Sequence, residues 1–181
     1  MTESSCQICD GDFERAGAAS RLLKEQLKKI GVAPEILRRA MIAAHEAEMN
    51  VVIHARRGTM KAVLDDEQAR VEVVDEGPGI ADADLAMTEG YSTAGRQARR
   101  LGFGAGMGLP NIRKIVDRFT LESTVGKGTR LCFTIYLKPQ ISGADKFGCR
   151  AAAGVGGRGR RRPAHPARHG HGPRRPGAGG D

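Results

Sequence analysis

Apolar positions near the start of the chain recur at helical spacing in two successive stretches. The first covers residues 12–30, with Asp12 as a suitable N-cap and Gly31 as a stop signal. The second begins at Pro34, a residue favoured in the first turn of a helix, and continues to about residue 55. The pattern therefore predicts two amphipathic helices in series.

Shorter apolar runs predict strands between Met1 and residue 137. A first strand is expected around Cys6 and Cys9, and a third helix over residues 111–119. Residues 76–108 are rich in glycine and are predicted to be largely irregular; so long a loop inside a compact domain is usually functional. The other predicted strands cover residues 60–64, 70–75, 120–124 and 130–137.

Helices that precede and interrupt a run of strands predict an α/β (α+β) two-layer sandwich, with a mixed sheet covered on one face by helices. Residues 1–140 are expected to form this domain. The periodicity ends after Pro139, and residues 141–181 hold 11 of the 25 Gly, 4 of the 8 Pro and 8 Arg. Such a segment cannot bury enough surface to offset its ordering entropy, so we expect a disordered basic tail.

Charge and cysteine content restrict the function further. Of the net charge of +8, +7 lies in residues 141–181, because residues 1–140 hold 20 Lys and Arg against 19 Asp and Glu. Nothing in the domain therefore indicates specific nucleic-acid binding. No apolar run approaches the roughly 20 residues that cross a bilayer, and the N-terminus lacks signal-peptide features, so we expect a cytoplasmic protein. Cys6 and Cys9 have redox or zinc spacing but no second pair, and we interpret them as incidental.

Glu46 and Asn50 lie four residues apart on the second predicted helix, so their side chains project from one face. An amide oxygen can bind Mg²⁺, and a carboxylate one turn earlier can orient a hydroxyl beside a terminal phosphate. Two polar residues on a solvated face are the ordinary alternative, but the surrounding residues are aliphatic. His54 continues the face and is interpreted as a structural histidine.

Asp75 ends a predicted strand and leads into a turn that contains Gly77 and Gly79. A carboxylate at a buried strand end can accept a hydrogen bond from the exocyclic amine of adenine, while glycines let the base approach the backbone. An isolated motif of this kind is equally consistent with an Asp-capped turn.

Two more glycine turns follow, at residues 102–108 and 126–129. The first leads into a helix N-terminus, where N–H groups and the helix dipole attract anions. It is neither a Rossmann nor a Walker A motif, because no strand directly precedes it and no Gly-Lys-Ser/Thr is present. Residues 89–100 suit a mobile lid over the triphosphate. Its arginines, Arg96, Arg99 and Arg100, are candidate contacts to phosphate or to a partner. A solvated run of charges is the more common interpretation of such a segment.

In combination, these segments resemble the GHKL ATPase superfamily, whose Bergerat fold is shared by gyrase-type ATPases, Hsp90, histidine kinases and MutL. The resemblance covers about residues 8–138 and is closest to the anti-sigma-factor and stressosome-switch serine/threonine kinases. Two features differ from the pattern of that family. The lid contains an Arg-rich insertion, and residues 141–181 match nothing in the family. The matching positions are Glu46 and Asn50 in the N box, Asp75, Gly77 and Gly79 in the G1 box, Gly104, Gly106 and Gly108 in the G2 box, and Gly126, Gly128 and Thr129 in the G3 turn.

The resemblance implies a role for each of these residues. Glu46 would activate the substrate hydroxyl, and Asn50 would hold Mg²⁺. Asp75 would recognise the adenine of ATP, with Thr129 supporting it through a water molecule. The amides of residues 104–108 would bind the phosphates, and the other expected nucleotide contacts are Ile80, Ala105, Met107 and Leu109.

The activity that the resemblance implies is an ATP-dependent serine/threonine protein kinase, a regulatory switch that phosphorylates a small STAS-domain-like partner. A sigma factor or a phosphatase is a candidate second partner, and a homodimer is compatible with this interpretation. The main alternative is a non-catalytic, nucleotide-dependent binder that sequesters a sigma factor or another regulator. An orphan histidine-kinase domain is disfavoured, because no helix pair with a phospho-accepting histidine is present and His45 lies inside the site helix.

Overall fold

The computed structural model describes residues 1–138, which form helices packed on one face of a single sheet. The strands are β1 (Thr2–Cys9), β2 (Arg57–Leu64), β3 (Gln68–Asp75), β4 (Arg118–Thr124) and β5 (Gly128–Tyr136). The helices are α1 (Ala18–Lys29), α2 (Pro34–His54), α3 (Ala83–Ala86), α4 (Arg96–Arg100) and α5 (Gly108–Ile115). The predicted two-layer α/β class is confirmed. The predicted tail lies outside the described residues, and the domain boundary stays a prediction.

The expectation of a mixed sheet is wrong, because all neighbouring strands are antiparallel in the order β1-β2-β3-β5-β4. β3 and β4 do run parallel to each other, as expected of strands joined by a helical crossover. However, β5 lies between them and pairs antiparallel with both. The two parallel strands therefore never touch.

The core lies between α2 and the helix-facing side of the sheet. Met60, Val73 and Leu131 occupy one row of that side in register, and each is nearly fully buried. From α2, a series of small side chains packs toward this surface and toward the neighbouring helices. Small side chains let backbones approach closely, so α2 forms the centre of the helical layer. Those residues are Ala40, Ala43, Ala44 and Ala47.

The first helix begins at Ala18 rather than at Asp12. Gly17 has a φ of +92°, which lies outside the right-handed helical region, so the helix cannot extend back through it. Asp12 instead accepts a hydrogen bond from the N–H of Arg15 within a preceding turn. The helix ends at Lys29, and Gly31, with a φ of +69°, follows as a stop.

Glu48 of α2 caps the N-terminus of α1, which has no side-chain cap from its own sequence. The two carboxylate oxygens accept hydrogen bonds from the N–H groups of Ala19 and Ser20, each at 3.0 Å. The Glu48 residue is only 2% exposed. A carboxylate at this position satisfies two otherwise unpaired donors and interacts favourably with the helix dipole. Glu48 therefore has a structural role.

Replacing Glu48 with alanine is expected to lower the free energy of unfolding by about 2–4 kcal/mol, because two buried N–H groups lose their acceptor. Glu48→Gln keeps one oxygen acceptor and should lose less. Urea denaturation of the three proteins measures both differences. Equal stability of all three would contradict the capping role.

The third helix begins and ends about one turn earlier than the sequence pattern predicts. Residue Val116 is extended, and Arg39 of α2 donates to the carbonyl of Ile115 at 2.7 Å and to the carboxylate of Asp117 at 2.8 Å. These contacts end α5 and fix it to α2. The segment predicted to be irregular contains the short helices α3 and α4. Among the described helices, none combines the length and apolarity required to cross a membrane.

Candidate functional site

A cavity of about 760 Å³ lies between α2, the N-terminus of α5 and the glycine-rich segments. Its volume is within the range of small-molecule sites, roughly 300–1,000 Å³. Three predicted site glycines, Gly77, Gly126 and Gly128, do not line it. The N–H of Gly77 donates instead to Oδ1 of Asp75. The structure thus brings together Glu46, Asn50, Asp75, Gly79, Ile80, Gly104, Ala105, Gly106, Met107, Gly108, Leu109 and Thr129.

Asp75 is the last residue of β3, and strand alternation places it on the same side of the sheet as the buried Val73. Its Oδ1 accepts hydrogen bonds from the N–H of Gly77 at 2.7 Å and of Thr129 at 3.2 Å. Burial raises the pKa of the Asp75 carboxyl, while these donors and His54 act in the opposite direction. The carboxylate is therefore held in a partly desolvated position at the end of the core.

Apolar side chains line the cavity next to Asp75, and of these the sequence analysis included only Ile80 in the site. Val73, Leu131 and Leu121 come from three neighbouring strands in register and line the cavity from the sheet side. Ile53 and Ile80 also line it. Strand alternation assigns the first three to the core, but no local signal shows that the core is open here. The result is an apolar slot with a carboxylate at one end, which suits a flat heterocycle.

Ser123 connects the turn after Asp75 to the turn before β5, and it was also missed. Its Oγ accepts the N–H of Ile80 at 2.7 Å and lies 2.9 Å from Oγ1 of Thr129. The same oxygen lies 3.1 Å from the carbonyl of Gly128, to which it donates. A single serine in a strand has no sequence signature for such a role. These contacts fix Thr129 beside Asp75.

Two of the predicted site glycines are required by the packing of the chain on itself. Gly79 has a φ of +72°, and a Cβ there would lie 2.2 Å from the carbonyl oxygen of Thr124. Gly106 has a φ of +73°, and a Cβ there would lie 2.4 Å from the backbone of Gly90. The N–H of Gly90 also donates to the Gly106 carbonyl at 3.0 Å. The loop before α5 therefore packs directly against the lid segment.

At the other end of the cavity, α2 presents Glu46 and Asn50 toward the N-terminus of α5. A Cβ on Gly108 would lie 3.1 Å from Oδ1 of Asn50 and 3.4 Å from Oε2 of Glu46, so glycine keeps this space open. Asn111 of α5 donates from Nδ2 to Oε1 of Glu46 at 3.1 Å. The Nδ2 of Asn50 is buried and lacks a hydrogen-bond partner within residues 1–138. A buried polar group in that state calls for an explanation, and a bound water, ion or ligand is one.

The lid arginines do not reach the cavity in this structure. Arg99 donates to the carbonyls of Ala94 at 3.0 Å and Ser92 at 3.3 Å, so it holds the lid's own backbone. Arg96 and Arg100 lie on α4 and are exposed. None of the three lines the cavity. Their contacts with phosphate or with a partner stay predictions.

The predicted first strand is confirmed as β1. Its two cysteines have their side chains on opposite faces of the strand. Cys6 and Cys9 are three residues apart, and an odd spacing in a strand places side chains on opposite faces. Burial raises the pKa of the Cys6 thiol. In residues 1–138, no three His, Cys, Asp or Glu side chains cluster in a way that could hold a metal.

His54 at the end of α2 has a pKa lowered by burial, which the nearby Asp75 partly offsets. The unfolded chain therefore takes up a proton at this residue first as the pH falls below about 6.5. Its contribution to stability is complete above that pH and is lost as the pH falls through the folded-state pKa. When the pH falls from about 7 to about 5, we expect the free energy of unfolding to decrease more in the parent protein than in a His54→Gln variant. Urea denaturation at both pH values tests this, and equal losses would contradict it.

Comparison with known protein families adds independent information. Residues 32–141 match the family described as Histidine kinase-, DNA gyrase B-, and HSP90-like ATPase. The serine/threonine-protein kinase RsbT of Bacillus subtilis (strain 168) is 30% identical over 135 residues, which are 72% of this chain and 95% of that protein. An anti-sigma F factor of Caldanaerobacter subterraneus subsp. tengcongensis is 36% identical over 100 residues, which are 52% of this chain and 66% of that protein.

A solved structure supports the fold. The crystal structure of the RsbU and RsbW domains of a protein from Mycobacterium tuberculosis is 17% identical to this chain, with a TM-score of 0.51. The similarity covers 81% of this chain and 36% of that one. At this level of identity, the comparison shows the fold alone.

Proposed function

This chain belongs to the family of histidine kinase-, DNA gyrase B- and HSP90-like ATPases, and on that premise we propose that it is an ATP-dependent serine/threonine protein kinase acting as a regulatory switch. One observation carries the proposal. The Glu46 carboxylate, the unpartnered Asn50 amide and a helix N-terminus lie at one end of the cavity, while Asp75 lies at the other. The similarity to a serine/threonine kinase supports it.

In this proposal the nucleotide lies along the cavity. The adenine occupies the apolar slot, and its amine donates to the carboxylate of Asp75. The phosphates lie at the N-terminus of α5, because unpaired N–H groups and the positive end of the helix dipole stabilise an anion there. Met107 and Gly108 line that end of the cavity.

The residues present also fit Mg²⁺. The Oδ1 of Asn50 is an oxygen of the type that Mg²⁺ prefers, and it faces the space beside Gly108. The Nδ2 group is a donor, so it would face an acceptor such as a phosphate oxygen and not the ion. Asn50 would hold the ion beside the phosphates, with Glu46 close by. A bound Mg²⁺ would neutralise part of the phosphate charge. Asn50 itself orients its amide toward the space that Gly108 leaves open.

Glu46 is the proposed general base. As a serine or threonine oxygen of the partner attacks the γ-phosphorus, its proton passes to the Glu46 carboxylate. The bond between the γ-phosphorus and the bridging oxygen of ADP breaks, so ADP and a phosphorylated partner are the products. A protein that only binds nucleotide needs no base at this position.

The partner belongs to the proposal as well. The names of two relatives, a serine/threonine-protein kinase and an anti-sigma factor, support a protein partner. By the family resemblance, we expect a small STAS-domain-like protein to present the acceptor hydroxyl. The proposal also includes a sigma factor or a phosphatase as a second partner. It further includes a homodimer and a cytoplasmic location.

Labelling in a lysate of the host tests the proposal. The protein is incubated with Mg²⁺ and γ-labelled ATP beside a Glu46→Ala variant, and labelled proteins are identified. Label on another protein only in the presence of Glu46 is the expected result. If neither protein yields label although both bind ATP, the proposed kinase is wrong and a nucleotide-dependent binder replaces it.

A further inference from the structure

Asn111 donates a side-chain hydrogen bond to the proposed base. Its Nδ2 lies 3.1 Å from Oε1 of Glu46, across the interface between α5 and α2 and 65 residues away in sequence. Asn111 is in the first turn of α5, three residues after the segment expected at the phosphates, residues 104–108. The contact therefore joins the phosphate end of the cavity to the base.

The two oxygens of Glu46 have different surroundings. Oε1 accepts the Asn111 hydrogen bond, whereas Oε2 is directed toward Gly108, where a Cβ would lie at 3.4 Å. A glutamate has several rotatable bonds, and its carboxylate loses a defined direction when nothing fixes it. A donor on Oε1 leaves Oε2 oriented toward the end of the cavity where a substrate hydroxyl must arrive.

We propose that Asn111 is a positioning residue that orients the Glu46 carboxylate for proton transfer, an inference that rests on the proposed kinase function. An amide suits this position because it donates a hydrogen bond without adding charge beside the phosphates. A lysine or arginine here would pair with Glu46 and compete for its second oxygen.

The position of Asn111 is set by the fold independently of its side chain. Arg39 holds the far end of α5 through the Ile115 carbonyl and Asp117. Ile112, the next residue, is fully buried in the core. The helix therefore stays in place without the Asn111 amide, and a substitution there removes the contact to Glu46 with little effect on folding.

The proposal is tested by the kinetics of phosphate transfer to the partner that the lysate labelling identifies. Two variants are compared with the parent: Asn111→Ala, which removes the donor, and Asn111→Gln, which keeps one. For Asn111→Ala we expect kcat to fall by about 10- to 100-fold, with ATP affinity and melting temperature close to those of the parent. Asn111→Gln should recover part of the rate. In a Glu46→Ala background, Asn111→Ala should cause no further loss, because the two residues act as a unit. An unchanged kcat, or equal losses in both backgrounds, would overturn the proposal.

A second readout needs no partner protein. In nucleotide-free protein, the two side-chain amide proton signals of Asn111 should shift in the NMR spectrum of Glu46→Ala. The exposed Asp66→Asn variant is the matched control, since it changes a distant carboxylate. Unmoved Asn111 signals would show that the hydrogen bond is absent and would overturn the inference. If the parent protein labels no partner, the proposed kinase function is contradicted. The Asn111 amide signals then still test whether the hydrogen bond between Asn111 and Glu46 forms.

Discussion

Asp75→Asn is expected to reduce ATP affinity by about 100-fold or more while leaving the folded domain at least as stable as the parent. The loss follows from the proposed recognition of adenine. In that proposal the Asp75 carboxylate accepts a hydrogen bond from the amine of adenine, whereas the amide nitrogen of the new asparagine would place a second donor against that amine. A site built to make a buried hydrogen bond discriminates strongly against a group that cannot make it.

The expected stability follows from the sign of the pKa shift. Burial raises the pKa of Asp75 above its ordinary value, so the folded state disfavours the ionised form. The contribution of this carboxyl is favourable below its ordinary pKa and is lost as the pH rises through the folded-state pKa. At neutral pH a neutral asparagine therefore removes an unfavourable charge, and its Oδ1 can still accept from Gly77 and Thr129.

Isothermal titration with ATP and urea denaturation measure the two properties in the same preparation. Asp66→Asn is the matched control, because it makes the same chemical change at an exposed turn at the other end of β3. Unchanged ATP affinity in Asp75→Asn would refute the site. A loss of affinity accompanied by unfolding would leave the adenine contact without support.

Glu46→Gln is expected to lower the rate of phosphate transfer by about 10²- to 10⁴-fold, since the amide cannot accept the substrate proton. ATP affinity should change little, because the proposal places Glu46 at the γ-phosphate end of the nucleotide and not at the adenine. Stability should also stay near that of the parent. The rate is measured with the partner found by labelling, at saturating ATP.

Glu48→Gln is the matched control for this experiment. The two glutamates are separated by one residue on α2, but Glu46 lines the cavity and Glu48 caps α1. We therefore expect opposite results: Glu48→Gln should lose stability and keep its rate at a temperature where it is folded. Equal rates for parent and Glu46→Gln would show that another group is the base.

The sequence predicts much of the fold and of the site where the signal is local. Strand alternation and the following glycines are enough to place Asp75 at the buried end of β3, and helical spacing is enough to put Glu46 and Asn50 on one face. The start of α1 could not be predicted in the same way. It depends on the backbone of Gly17 and on a cap that comes from Glu48, 28 and 29 residues further along the chain.

Other features depend on which distant segments meet. The antiparallel sheet results from β5 inserting between two parallel strands, and strand order is not encoded in the pattern of any one strand. Ser123 and Asn111 become part of the site through contacts with Thr129 and Glu46. Neither residue type signals such a role by itself, so the structure was needed to find them.

The chemical nature of the phosphorylated residue tests the central claim most directly. The purified protein, loaded with γ-labelled ATP and Mg²⁺, is mixed with the unphosphorylated form of the partner that the lysate experiment identified, and the phosphoamino acid is identified after one turnover. The proposed function predicts acid-stable phosphoserine or phosphothreonine in the partner, and none with Glu46→Gln. Acid-labile phosphohistidine, or label released only as inorganic phosphate, would contradict a serine/threonine kinase.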